Sequence, residues 1–485
     1  MATLEGPAYG ARGDRAVTDL RDPVVRDAVT ARLGTLWAGR PVVVGPYVLA
    51  GATPLVRWFR ELGCPVLVVA TTRGAGPVPA EDECEVVTVA PPAAASVTDE
   101  LRTHDRMTHH LPDEARAAID AFDPQRAGTW FATPFVTSDE PIDGRPVTGG
   151  RPASFLALED KTLADDVWDA AGVERSPYRL VDLADDVALD RATADLAGEL
   201  GVVWSGDARG GFNGGGNFVR WVRDDTDRAE ARAFFRPRCD RVRVMPFLEG
   251  VPCSVHGFVL PDGTAALRPV EIVVLRDRVA RTFTYSGLGT TWDPPAADRE
   301  EMRGAVRRVG AHLQQQHGYR GAFGIDGVLT ADGFRPTELN TRMSAGATTV
   351  GEVDRRFFTL LQAALVAGVD TGLTAADVEG LVPEMDAHRT GKVICVGQGR
   401  TVDHEESYPV AWDGVAFTRA TTETGNVFSI GATPSGLFAK VDPCTAVVPG
   451  HRLAPVNAAL VAFVDATYDA GLGAAEPAPD VRSRP

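Results

Sequence analysis

The chain has 485 residues, 44% of them hydrophobic and 24% charged, a globular composition that excludes a disordered chain. The length suggests roughly three domains. Its 66 acidic and 49 basic residues give a formal charge of −17, which excludes nonspecific binding to nucleic acid or an anionic membrane surface, because the long-range field repels phosphate.

Residues 1–15 are polar and Gly-rich, without the apolar stretch of a secretory leader, so a cytoplasmic protein is expected. Val24, Val25, Val29, Leu33 and Trp37 fall at helical spacing. An apolar run from Pro41 ends at Gly45; a helical pattern over Leu55–Leu62 and a second run, Val66–Val69, follow. Strand, helix, strand is the unit of a parallel sheet. The first turn lacks GxGxxG, so a dinucleotide site has little support there. The stretch 41–56 is too short and too rich in proline to cross a bilayer. Residues 71–100, rich in Pro, Ala and acid, predict a surface loop. His104, His109 and His110 read as exposed histidines on a helix. Residues 136–153 hold Pro, Gly and Asp in excess and predict a linker, with a boundary near Ala153.

A different texture starts at Leu158. Helices are predicted over Glu159–Ala171 and Ala192–Leu200, then strand Val202–Ser205, a glycine loop and strand Phe218–Val222. Strands Val242–Phe247, Ser254–Val259 and Leu267–Leu275 precede a long helix, Arg299–His317, closed by Gly318. Strands Phe323–Leu329 and Phe334–Asn340 and helix Arg355–Val366 follow. After about Thr374, strands Val393–Val396, Val415–Arg419 and Gly425–Ile430 alternate with turns. Helix Val456–Tyr468 precedes a Pro-, Ala- and Arg-rich tail expected to be disordered. The fold class is α/β and α+β, in units 1–153, 154–374 and a small β-rich 375–472, with a tail at 473–485. Six cysteines carry no CxxC spacing, which argues against a zinc site or a disulfide framework and fits a reducing cytosol. Only Lys161, Lys392 and Lys440 are lysines, so a lysine in a chemically suggestive place stands out.

The strongest chemical signal is Asp326 with Glu338-x-Asn340-x-Arg342 on two strands joined by a turn. A three-residue loop, Ala331-Asp332-Gly333, sets Asp326 opposite Glu338 and Gly324 opposite Asn340. Opposed residues share a face, and two facing carboxylates repel unless a cation lies between them. Such an all-oxygen set suits Mg²⁺. Arg342, always charged, can hold a phosphoryl oxygen. A second signal is the loop 206–217, where five of the seven residues from Gly210 to Gly216 are glycine and successive backbone N–H groups can cradle an anion. It lacks the GxxxxGK[ST] pattern. A third is Met245-Pro-Phe247-Leu248-Glu249-Gly250, where an apolar strand ends in an acid and a glycine, a plausible adenine slot.

In this order, Lys161, glycine loop, hinge, Asp326 and Glu-x-Asn-x-Arg, the chain resembles the ATP-grasp superfamily over roughly Leu158–Arg356. The resemblance implies an ATP-grasp core preceded by a Rossmann-like pre-ATP-grasp domain. It implies that Asp326, Glu338 and Asn340 hold Mg²⁺, two ions with Mn²⁺ as an alternative, bridging ATP phosphates. Arg342 would support the transferring phosphoryl group and Lys161 would reach the phosphates. Gly211, Gly214 and Gly215 would cover them, and Met245, Phe247, Leu248 and Glu249 would hold the nucleoside. One departure is Ser205, near the place of the second lysine of the superfamily; Arg209 is the candidate substitute. The layout also looks like the pheganomycin-type peptide ligases, which carry a small C-terminal domain of their own.

Those resemblances imply transfer of the γ-phosphoryl group of ATP to a carboxylate, then attack of an amine on the acyl phosphate, in secondary metabolism. The partners would be small-molecule or peptide substrates, and a homodimer is compatible. Glu271, Arg276 and Ser286 are candidate substrate residues, with Arg278 and Arg281 as further carboxylate partners. His256 reads as a core or cavity-lining histidine. The glycine loop would close over the acyl phosphate, and residues 375–485 would border the acceptor site. Another carboxylate ligase or carboxylase of the superfamily, or a noncatalytic nucleotide-binding protein, is the alternative.

Overall fold

The apolar runs Val42–Tyr47 and Val66–Ala70 are buried along nearly their whole length, as strands covered on both faces must be. In the computed structural model, which describes residues 18–482 apart from 212, 215, 349–354 and 403–404, they sit inside a five-stranded sheet. Its order is Glu85–Thr88, Val66–Ala70, Val42–Tyr47, Thr129–Phe131, Val147–Thr148, and every pair is parallel. Gly45 has φ 129°, and a Cβ there would lie 2.6 Å from the Val69 carbonyl oxygen, so only glycine fits this close approach.

Two sequence expectations change here. Residues 71–100 are not all loop: they supply the edge strand Glu85–Thr88 and the start of helix Val97–His109, capped by the Ser96 hydroxyl. Residues 136–153 are not a linker. They supply strand Val147–Thr148 and place Arg145, fully buried, on Asp123 at 2.8 Å and Asp143 at 2.8 Å. The turn residues were visible in the sequence; the buried arginine was not.

A smaller antiparallel sheet follows, in the order Arg179–Asp182, Arg241–Pro246, Val202–Gly206, Val219–Val222. Helices Asp186–Leu196 and Asp225–Phe235 cover it. The second helix was not expected. Its only buried residues are Ala231 and Phe235, too few to show a period, but the Asp224 carboxylate caps it by accepting from the Asp227 N–H. The predicted helix over Glu159–Ala171 is broken into a short 3₁₀ turn, Ala157–Glu159, and a helix, Ala164–Ala170.

The rest is one large, mostly antiparallel sheet. Its path runs Gly333–Asn340, Gly321–Thr330, Val251–Leu260, Val270–Asp277, Thr282–Gly289, Gly391–Gln398, Gly436–Val441, Val427–Thr433, Glu406–Trp412, Phe417–Arg419. Helix Ala296–His317, ended by Gly318 in the left-handed region, packs on one face. No break falls near residue 374: Thr282–Gly289 pairs directly with Gly391–Gln398. The tail is also ordered as far as Arg482. Glu476 pairs with Arg276 as an added strand, and the Arg482 guanidinium lies 2.5 Å from Asp298.

Glu271 binds the last helix to this sheet. Its fully buried carboxylate accepts from the N–H of Leu453 at 2.6 Å, of Ala454 at 3.3 Å and from Arg452 Nε at 2.6 Å, at the start of helix Ala454–Tyr468. It is thus a helix anchor and not a substrate residue. Ser286, the second such expectation, is buried and donates to the Ile394 carbonyl at 2.6 Å. Glu271→Ala leaves Arg452 and the helix N–H groups unpaired and should cost about 3–5 kcal/mol in urea unfolding. An unchanged urea midpoint combined with lost turnover would return Glu271 to the substrate.

Candidate active site

The hairpin that carries the acids closes differently from the sequence expectation. Its turn has two residues, Ala331 and Asp332, between the facing pair Thr330 and Gly333. That register alone would set Asp326 against Thr337. A bulge restores the pairing: Gly327 faces Pro336, Asp326 faces Glu338, and Thr337 is the extra residue. Pro336 has no N–H for the ladder. Thr337 is held instead by its hydroxyl donating to the Asp326 carbonyl at 3.2 Å, and its carbonyl accepts from Arg243 at 3.2 Å. Asp326 thus lies opposite Glu338, and Gly324 opposite Asn340.

Burial, and then the Glu338 charge, push the Asp326 carboxyl up to about 6. Hydrogen bonding from Ser254, which faces Asp326 on the next strand, and the charges of Arg342 and Lys161 act in the opposite direction. Lys161 makes an ion pair with Glu338. Asn340 donates its amide to Asp326 at 2.9 Å. A divalent cation would fit this set after Asn340 turns its oxygen inward; the donors are all hard oxygen, and the strained carboxylate pair needs positive charge.

Arg342 is aimed by a group the sequence reading missed. Glu159 accepts from both Arg342 and Arg151, and these charges hold its carboxyl below the ordinary range despite burial. Arg342 also lies over the Phe135 ring, 4.8 Å from its centroid. Arg243, buried, pairs with Asp165 at 2.5 Å and joins the smaller sheet to the helix after Lys161. His256 shares a 3.1 Å hydrogen bond with Ser254; burial first, then Arg342, lowers its imidazole to about 3, so it stays neutral. It lines the cavity, as expected.

That cavity has a volume of about 680 Å³. Met245, Phe247 and Leu248 form an apolar wall with Phe283, and Trp221 packs behind Phe247 with ring centroids 4.5 Å apart. Glu249 is held by Arg276 at 2.8 Å. Ser205 lines the same region, and the cation facing it across the sheet, Arg243, is occupied by Asp165. Arg209 does not replace the missing lysine: its guanidinium points to Asp240 at 2.9 Å and to the Pro237 carbonyl at 2.6 Å. Arg278 and Arg281 pair with Glu476 and Asp227.

Gly214 and Gly216 border the cavity; Gly211 does not, and Gly215 lies outside the described residues. The loop is fastened from two sides. The Thr98 hydroxyl donates to the Gly214 carbonyl at 2.9 Å, Arg102 donates to Asn213 at 2.7 Å, and Asn217 donates to Gln398 at 2.7 Å. Among the described residues no three His, Cys, Asp or Glu side chains come together as a group that could hold a metal ion. His104 is buried, contrary to expectation, and burial lowers it to about 4. No described helix is long and apolar enough to cross a membrane.

The charged side chains lining the cavity are Lys161, Arg276, Arg342, Arg355 and Lys392 against Asp326 and Glu338. A chain of charge −17 therefore places an excess of cations in this cavity.

No family model and no curated protein matches the sequence. Solved structures do match. The biotin carboxylase domain of the Hydrogenobacter thermophilus 2-oxoglutarate carboxylase, solved with Mg-ADP, ADP and bicarbonate, is 16% identical. The match covers 83% of this chain and 85% of that one, with a TM-score of 0.53. The Aspergillus clavatus carboxyaminoimidazole ribonucleotide synthase, solved with ATP, is 12% identical over 89% of this chain and all of that one, with a TM-score of 0.51. Both are ATP-grasp enzymes. The fold of this chain is the ATP-grasp fold, with a parallel α/β domain ahead of it.

Proposed function

We propose that the protein is an ATP-dependent carboxylate–amine ligase that forms an amide through an acyl phosphate. The observation that carries this reading is the facing pair Asp326 and Glu338 within a cavity whose other charged lining residues are cations. Phosphoryl transfer needs positioning and charge neutralisation more than a protein nucleophile. Mg²⁺ bound by Asp326, Glu338 and Asn340 would neutralise the phosphates. Lys161 and Arg342 stand beside that place, each already aimed by a carboxylate. Met245, Phe247 and Leu248 supply the apolar wall for the nucleoside, and Glu249, the next residue and held by Arg276, an acceptor for its ribose. The glycine loop, fastened to Thr98, Arg102 and Gln398, keeps water from the acyl phosphate. An amino-acid-like carboxylate joined to an amino acid or peptide amine, in the assembly of secondary metabolites, is the substrate pair suggested by the likeness of the sequence to peptide ligases.

With Mg²⁺, ATP and pooled amino acids and short peptides, ADP release should depend on the pool, and Asp326→Ala or Glu338→Ala should lower it by at least 10²-fold. Mass spectrometry should then show the amide. Bicarbonate-dependent release would favour a carboxylase, and ATP binding indifferent to both substitutions would overturn the metal assignment.

The same pair sets a pH signature. The Asp326 carboxyl titrates at about 6 in the fold against an ordinary 3.8. The proton therefore binds the folded state more tightly. The stabilisation it gives is complete below the unfolded value and lost as pH rises through the folded one. Without Mg²⁺, Asp326→Asn should melt higher than the parent at pH 8, by on the order of a few °C, and equal it near pH 4. Mg²⁺ should raise the melting point of the parent only.

A further inference from the structure

Lys392 is one of three lysines, it comes from the C-terminal part of the chain, and it lines the same cavity as Lys161. Among the described residues it makes no ion pair, unlike Lys161 and Lys440. The nearest acid acting on it, Asp442, is exposed and lies 3.6 Å from Lys440. Arg355, also lining the cavity, adds a second positive charge that acts on both Lys392 and Tyr47. Lys392 is half-buried and Arg355 exposed, and among the described residues neither has a carboxylate paired with it, so an anion entering the cavity would meet two unneutralised charges. Burial and Arg355 lower the Lys392 ammonium to about 8, so it is still charged at neutral pH.

The register places Lys392 away from the reacting centre. Lys392 faces Leu288, Leu288 faces Ile272, and the row continues through Pro252 to Val328. These side chains all line the cavity, so the row shares the face that carries Asp326. The strand of Lys392 is four strands from that of Asp326, about 19 Å along the sheet at ~4.8 Å per strand. A lysine there does not reach a carboxylate held at Asp326 and Glu338. Tyr285, Leu288, Phe131 and Phe135 also line the cavity and give it apolar walls.

We propose that Lys392 and Arg355 form a second anion subsite that binds a carboxylate at the remote, non-reacting end of an elongated substrate. The proposal rests on the ligase reading for the identity of the reacting end. It gives the C-terminal segment a specificity role, since the ligand must carry a negative group at a fixed distance from the bond being made. At ~3.3–3.6 Å per extended residue, a short peptide is of the right length.

Three lysines make a direct test. Protein labelled with ¹³Cε-lysine gives three signals, assigned with K440R and K392R. Alanyl-alanyl-alanine is added, and in parallel its C-terminal amide. The Lys392 signal should shift with the free acid and at least tenfold less with the amide, and K392M should weaken binding of the free acid at least tenfold. Mg-ADP, added separately, should move the Lys161 signal. No movement of Lys392 with the free acid, or equal movement with the amide, overturns the subsite. An unmoved Lys161 with a responding Lys392 overturns the ATP reading and leaves the subsite standing.

Discussion

Two carboxylates face each other across the hairpin, and much of the molecule is arranged to make that tolerable. At ~5 Å and an effective dielectric of 20, two such charges repel by about 3 kcal/mol. Burial makes the cost larger and shows itself in the raised Asp326 carboxyl. Lys161, arriving from the segment after the 3₁₀ turn, offsets part of it through Glu338. Arg342 offsets more, and it needs its own buried acid, Glu159, to be held there. Glu159 in turn takes Arg151 from the end of the first domain. The chain of alternating charges thus extends from the hairpin into the parallel α/β unit, which explains why that unit is attached so closely to the site.

The same logic accounts for the arrangement of the smaller sheet. Its central strand Arg241–Pro246 carries Arg243, which reaches both Asp165 and the bulged Thr337 carbonyl. The bulge that sets Asp326 against Glu338 is thereby tied to the sheet that supplies Met245 and Phe247. The wall of Met245, Phe247 and Leu248 and the charged hairpin are thus joined through one side chain. The glycine loop is the exception. Its fastenings are to the first domain and to Gln398, and each is a single hydrogen bond or a pair of them.

How much of this the sequence showed depends on the kind of information each feature needs. The facing of Asp326 and Glu338 is a matter of parity, which a strand pattern carries, and so it was legible. The route to it was not: the turn is one residue shorter and a bulge at Thr337 compensates. Pro336 was the available signal for that bulge. Glu159 and Arg145 were illegible for another reason. In an Arg-rich chain a buried arginine looks like a surface one, and its partner is chosen by the fold rather than by spacing. Glu271 was read as a substrate residue, and only the contact with Leu453 and Arg452 shows that it holds a helix start. The tail beyond 472 was read as disordered from composition, yet it adds a strand beside Arg276 and brings Ala478 to the cavity.

The absence of a lysine at Ser205 now has a structural counterpart. Among the described residues, strand Val202–Gly206 sends no cation into the cavity, and the arginine facing Ser205 is neutralised by Asp165. The positive charge is found instead on the large sheet and its flanks: Arg276, Arg342 and Lys392. Arg276 holds Glu249 at the end of the Met245–Glu249 segment. It sits on a strand stiffened by neighbours on both sides, including the tail strand at Glu476. A cation on that strand belongs to the same sheet as Asp326 and Glu338, whereas a lysine at Ser205 would belong to the smaller one. With the charge on the large sheet, the cations and the carboxylates they face are fixed by one hydrogen-bonded framework.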